Sequence, residues 1–334
     1  MDLLDPLVST ASRIAHGVYG LTTAPRLSIL IFHRVRARTD AIFPAEADAA
    51  HFERLMRLVA RTFSVMTLAD AVSRLQRGEL PPRALVVTFD DGYADNADVA
   101  LPILQRCGLP ASFFVSTGFL DGGRMWNDSV IEIVRACRHA TIDLEEFGLG
   151  VCSLAGSAER RVVIEALLPR IKYMTLSARD EAISHLQRLS GVARLPADLM
   201  MRSEQVRQLH SAGMEIGGHT VNHPILTTLT PVEVEHEIAA GRNRLQEIID
   251  APVDVFAYPN GKPARDYDAS HVELLRRLGF AAAVSTVPGV ARLGDDLCQL
   301  PRLAPWGQSL AIWAARLLLH QRNTCHAIAP AASL

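Results

Sequence analysis

Seven short runs rich in β-branched and aromatic residues recur along the chain: LSILIF (27–32), ALVVTF (84–89), ASFFV (111–115), MEIGG (214–218), DVFAY (254–258), FAAAVS (280–285) and CQLPRL (298–303). Helix-period segments lie between them, over 49–60, 68–77, 94–107, 203–212, 231–249 and 268–278. Thr67, Ser203 and Thr230 stand where helix caps are expected, and Pro231 occupies a first helical position. Strands that are apolar through most of their length belong in a parallel sheet covered on both faces. About seven such strand-helix units, with no linker-like stretch, predict one domain over 1–334, an α/β barrel related to the eightfold type, with its chemistry at the strand ends. Its core spans 27–303, and the segment 120–200, helical in period and without a convincing strand, is expected to be a helical insertion over one rim.

Composition narrows the partners. The chain has 334 residues, 49% hydrophobic and 21% charged, with a net charge of −2. That balance carries no electrostatic footprint for nucleic acid. Cys107, Cys137, Cys152, Cys298 and Cys325 are scattered and odd in number, which fits neither a zinc ribbon nor a disulfide framework and points to a reducing compartment. Asp2, Asp5, Pro6 and Arg13 interrupt the N-terminal apolar stretch, so no signal peptide is expected, and no apolar run reaches the roughly 20 residues that cross a bilayer. A C-terminal amphipathic helix, about 309–322, is expected to pack on the domain, with peripheral membrane contact as the alternative.

The run ALVVTF leads directly into Asp90 and Asp91. Adjacent carboxylates repel, and burying either without compensation is costly, so something at this strand end must favour negative charge. Asp95 and Asn96 are the better placed pair to cap the following helix. A second strand end reads GGHTVNHP, with His219 and His223 four residues apart. One carboxylate with two imidazoles, leaving positions open, is the ligand set of a catalytic divalent metal. A metal would bind one aspartate and let its neighbour stay ionised as a base. A third strand end, FAYPNGKP, builds a turn on Pro259 and Gly261 that is suited to aim a backbone N–H, and a fourth places His33 after LIF as a candidate acid.

TFDDGY, HTVNHP and FAYPNG resemble the first three motifs of the polysaccharide deacetylases, carbohydrate esterase family four, and the resemblance covers most of 27–303. It implies a distorted (β/α)7 barrel and removal of acetyl groups from N-acetylated sugars, or O-acetyl groups from xylan, with a divalent metal. Carried over residue by residue, it makes Asp90 the general base, Asp91, His219 and His223 the metal ligands, and the Asn260 N–H an oxyanion donor. Zinc is the expected metal, with cobalt or nickel able to replace it.

Two departures stand out. The arginine that steadies the base in many members is replaced by Ala257, and the late histidine motif is absent from CQLPRL. Members with a permuted arrangement take that histidine from the first strand, as His33 in IFHRV does, and Arg302 is placed to take over the arginine's role.

Tyr93, Trp126, Asp266 and Arg302 are the expected substrate contacts, with Trp126 stacking on a sugar ring and Asp266 alternatively orienting His33. The expectation is therefore a metal-dependent deacetylase of an N-acetylated glycan, cytoplasmic or membrane-peripheral. A catalytically silent sugar-binding barrel and an O-acetyl esterase remain the alternatives. A phosphotransferase of the haloacid-dehalogenase type needs one residue between its aspartates, and here they are adjacent.

Overall fold

The computed structural model describes residues 26–304 and 328–329. The helix expected over 309–322 lies outside them. Among the described residues, one sheet runs β10 (Ala291–Arg292), β1 (Arg26–Phe32), β3 (Ala84–Phe89), β4 (Ser112–Val115), β7 (Glu215–Gly218), β8 (Val255–Ala257), β9 (Ala282–Val284), and β2 (Ser64–Val65) pairs with β3 off this path. All pairings in it are parallel except that of β10 with β1. The last expected strand, 298–303, is instead a short 3-10 turn, Leu297–Gln299, followed by a segment in which Leu300 bridges Val284 and Leu303 bridges Leu30. Pro301 has no N–H to give a ladder, so two isolated bridges replace a strand and still carry the chain from β9 back to β1. The distorted, curled barrel is the outcome.

Both faces of the strands are buried, which explains their unbroken apolar runs. Leu30, Phe32, Val87 and Phe89 pack with Phe52, Leu55 and Val59 of the helix Ala49–Thr62, and the Phe89 and Phe113 rings stack at 4.7 Å. Alternate residues, among them Leu27, Ile29, Val86 and Val255, pack with the helix Leu68–Arg77. Thr67 and Thr230 cap their helices as expected. At Ser203 the expected cap is a different arrangement: Asp121 supplies the accepting oxygen to the Ser203 N–H at 2.8 Å.

The insertion is helical, with Trp126–Ala136, Ser157–Lys172 and Leu176–Ser190, but it also contains an antiparallel hairpin of β5 (Thr141–Asp143) and β6 (Val151–Ser153). Its own apolar cluster includes Ile133, Leu144, Leu154, Ile164 and Leu186. Backbone bonds from Ala94 N–H to Leu199 and from Met201 N–H to Gly92 stitch its base to the loop just after Asp91. No described helix is long and apolar enough to cross a membrane.

Candidate metal centre and active site

Strand register decides which side chains meet. Phe32 pairs with Phe89, Val115 with Gly218, and Gly218 with Phe256, so the next residues of five neighbouring strands emerge together at one end of the barrel. There one ligand atom each from Asp91, His219 and His223 lie within 4.8 Å of one another. Asp91 Oδ1 is 3.3 Å from His219 Nε2 and 3.4 Å from His223 Nε2. His219 Nδ1 donates to the Ala257 carbonyl at 2.7 Å, which turns its Nε2 toward Asp91. Burial drives His223 down to about 3, so it is neutral and able to ligate, whereas the burial of His219 is outweighed by its hydrogen bond to Asp91 and by the charge of Asp90, which raise it. Burial opposes ionisation of Asp91, but the two imidazoles and His33 outweigh it and hold the carboxyl far below its ordinary value. Two imidazoles around an ionised, buried carboxylate are the donor set that a divalent cation needs.

The backbone is bent to make this cluster. Asp91, Thr220 and His223 have positive φ of 77°, 65° and 51°, each costing on the order of 1–3 kcal/mol for a non-glycine residue. Gly92, φ 90°, completes the turn after Asp91, and a Cβ there would meet Val115 at 2.9 Å. Glu237 of the helix Pro231–Ile249 holds the histidine loop by accepting from the Val221 and Asn222 N–H groups at 2.9 and 2.8 Å.

Asp90 faces a different partner. Arg302, on the segment that joins β9 to β1, gives it two bonds of 2.7 Å, one to each oxygen. The guanidinium also donates to Thr88 Oγ1 at 3.1 Å and to the Ser285 carbonyl at 2.8 Å. Burial alone would push Asp90 up, yet Arg302 outweighs it and keeps the carboxyl below the ordinary range. Arg302 is fully buried and committed to Asp90, which corrects its assignment as a substrate contact.

His33 is exposed at the end of β1, beside Asp90, whose N–H donates to the Phe32 carbonyl at 2.9 Å. It is close enough to act on the charge of Asp90, Asp91 and His223. Asp95 and Asn96 do not cap a helix. Asp95 accepts from Arg34 Nε at 2.8 Å, and Asn96 Nδ2 donates to the His33 carbonyl at 2.9 Å, so the second half of TFDDGYADN anchors the first strand end. Asn260, with φ 61°, lies three residues beyond the Ala257 carbonyl that holds His219, and its carbonyl accepts from Thr286 Oγ1 at 2.7 Å.

A family model described as polysaccharide deacetylase matches residues 77–146 and 177–283, more than half of the chain. The chain belongs to the polysaccharide deacetylase family. The unmatched stretch between those ranges falls inside the insertion. YxkH of Bacillus subtilis, named as a candidate polysaccharide deacetylase, is 20% identical over 279 residues, 83% of this chain and 71% of that protein. Among solved structures, the deacetylase PplD of Streptococcus pyogenes in complex with acetate superposes with a TM-score of 0.59 at 18% identity, over 90% of this chain and all of that one. IcaB from Ammonifex degensii gives 0.55 at 21% identity, over 86% and 97%. At these identities the likeness speaks for the fold.

The other expected substrate contacts of this deacetylase are placed differently. Asp266 is fully buried, and its Oδ2 accepts from the Lys262 N–H at 3.0 Å, so it shapes the turn after Asn260 and is out of a sugar's reach. Trp126 packs against the insertion's cluster, and Arg179 covers its ring at 5.3 Å, so that face is not open for stacking. The chain just after Trp126 lines the site, through Asn127 and Asp128. Tyr93 also lines it, though buried, under the Arg34 guanidinium at 4.5 Å and with its hydroxyl against Asp128. Asp128 was not singled out from sequence. Burial, with Asp91 adding, pushes it up to about 7 against the pull of Arg34 and Tyr93.

Proposed function

We propose that the chain is a metal-dependent hydrolase that removes N-acetyl groups from a glycan, with Asp91, His219 and His223 holding the cation. Zinc suits two imidazoles and one carboxylate, and cobalt or nickel would serve the same set. The observation that carries the reading is the pairing of that ligand cluster with a second, adjacent carboxylate that is ionised and clamped by Arg302. A pure binding site has no use for such a base.

A bound cation would polarise the acyl carbonyl and make the attacking water more acidic. Asp90 takes that water's proton, and Arg302 holds its carboxylate in one orientation while it waits. The Asn260 N–H donates to the developing oxyanion, a type of contact worth about 3–4 kcal/mol in other acyl-transfer enzymes. As the C–N bond breaks, His33 gives a proton to the leaving amine, and acetate and a free amino sugar result.

The test is acetate release from N-acetylglucosamine oligomers by the full chain, before and after chelation and with His219→Ala/His223→Ala. Release that depends on metal and on both histidines is expected. Undiminished release from the stripped protein or the double variant would refute the metal assignment. Acetate from O-acetylated xylan alone would shift the reading to esterase, and sugar binding without release from either would make the barrel a silent binder.

A further inference from the structure

The two histidines of the metal cluster are held in different ways. His219 has its Nδ1 tied to the Ala257 carbonyl at 2.7 Å, the usual arrangement in which a second bond orients a ligating imidazole. His223 lacks that bond: its Nδ1 is buried and has no hydrogen-bond partner, and its ring meets the His219 ring edge-on at 4.8 Å. With no bond behind the ring, the aim of His223 Nε2 depends on the backbone that carries it.

That backbone is pinned from two sides. On one, the loop after β4 supplies the donors: the carbonyls of His219, Thr220 and Val221 accept from Ser116 Oγ at 2.8 Å, the Thr117 N–H at 3.2 Å and the Gly118 N–H at 2.8 Å. On the other stands Glu237, 6% exposed, whose Oε2 accepts from the Val221 and Asn222 N–H groups at 2.9 and 2.8 Å and whose Oε1 accepts from Asn222 Nδ2 at 2.7 Å. Within the loop the His223 N–H donates to Thr220 Oγ1 at 3.1 Å. One turn beyond Glu237, on the same face of the helix Pro231–Ile249, Gly241 lets the helix close on the loop. A Cβ there would meet the Thr220 carbonyl carbon at 2.9 Å and its oxygen at 3.0 Å. A loop with two non-glycine residues at positive φ, Thr220 and His223, keeps that shape only while its surroundings impose it.

We propose that Glu237 and Gly241 are positioning residues for the metal and act through His223. The carboxylate fixes the two residues ahead of His223, and the glycine lets the helix back the loop at contact distance, in place of the bond that the ring lacks. The inference rests on His223 being a ligand and deepens that reading: a helix that contributes no residue to the cluster sets how tightly the cluster binds.

The test measures zinc affinity of the full chain by competition with a chromophoric chelator, and the visible absorption spectrum with cobalt in place of zinc. It compares wild type, Glu237→Leu, Glu237→Gln, Gly241→Ala, His219→Ala and His223→Ala, each checked by thermal unfolding without metal. Glu237→Leu should bind zinc about 10- to 100-fold more weakly, the loss typical when a group that orients a ligand is removed. Its cobalt spectrum should move toward that of His223→Ala and not toward that of His219→Ala. Glu237→Gln keeps an oxygen for the two backbone N–H groups and should recover much of the affinity. Gly241→Ala leaves the side-chain bonds in place but crowds Thr220, so it should weaken zinc binding by a smaller factor, and it carries the comparison if Glu237→Leu does not fold. Unchanged zinc affinity in the Glu237→Leu and Gly241→Ala proteins overturns the proposal. A weaker Glu237→Leu with an unaltered cobalt spectrum overturns it as well, since Glu237 would then support the fold without aiming His223. The ligand assignment fails separately: zinc binding that survives His219→Ala and His223→Ala sinks that assignment, whereas zinc lost in those two variants and kept in the Glu237 and Gly241 variants leaves it standing and sinks only this inference.

Discussion

Arg302→Met is the perturbation that most directly probes the catalytic base. Arg302 and Asp90 have side chains only 0% and 3% exposed, and the two 2.7 Å bonds between them lie far from screening water. Removing one partner of such a pair strands the other as an uncompensated buried charge, at about 3–5 kcal/mol. Asp90→Asn strands Arg302 in the same way, so each single variant should lose about that much in urea unfolding, with the slope unchanged. The double variant removes both charges and should lose less than the sum, by about 2 kcal/mol or more. Additive losses within about 0.5 kcal/mol would show that the pair is not coupled and refute the clamp. The pH dependence has a definite sign as well. Asp90 is held below its ordinary value of 3.8, so the stability that it contributes is present above that pH and is lost as pH falls through the lower, folded-state value. In Arg302→Met burial is opposed only by the weaker pull of His219 and His33, so Asp90 rises and the acid limb of kcat should move to higher pH. A limb that stays in place would assign the base to another group.

The other predictions are simpler. Asp90→Asn should keep its metal but lose activity by 10²-fold or more, and near-normal turnover with metal bound would move the base elsewhere. His33→Ala should lower turnover on N-acetyl substrates more than on 4-nitrophenyl acetate, whose leaving group needs no proton; equal losses would count against an acid role. Asp40 accepts from both Arg135 terminal nitrogens, at 3.2 and 2.8 Å, and Arg135 and two backbone N–H groups outweigh its burial and hold it below 3.8. Asp40→Asn should therefore cost about 1–2 kcal/mol near neutral pH and flatten the loss of stability below pH 3.8, which urea titrations across that range would detect.

How much of the fold was legible depended on how much of each element's pattern was local. Six of the seven expected strands form within a residue or two of their predicted bounds, because a strand buried on both faces announces itself by its own apolar run. The seventh does not, because Pro301 withholds an N–H, and only Leu300 and Leu303 pair with their neighbours. The β5–β6 hairpin and β10 were missed: they are two or three residues long, and TID and VCS carry no distinctive period. Pairing that depends on a tertiary partner leaves little trace in the segment itself.

The site divides along the same line. Asp90, Asp91, His219 and His223 sit in two short contiguous runs, so their residue types and spacing alone suggested a ligand set, and register then brought the runs together. Asp95, Asn96 and Asp128 act across 61, 63 and 94 residues of sequence on Arg34, His33 and Arg34 respectively, and nothing adjacent to them signals it, whereas Arg302, 212 residues from Asp90, was legible only through the family resemblance, which left it to steady the base. Asp95 shows the cost of local reasoning most clearly. Its position ahead of a helix satisfies the capping rule, yet a cap is worth only about 1 kcal/mol, and a nearby buried guanidinium offers a charged bond that the backbone N–H groups of the helix end do not match. Capping competes with every tertiary partner within reach, and beside an active site those partners are charged and desolvated. For the same reason the charge state of the residues that are easiest to read from the chain is set by partners distant in sequence: Arg302 keeps Asp90 ionised across the barrel.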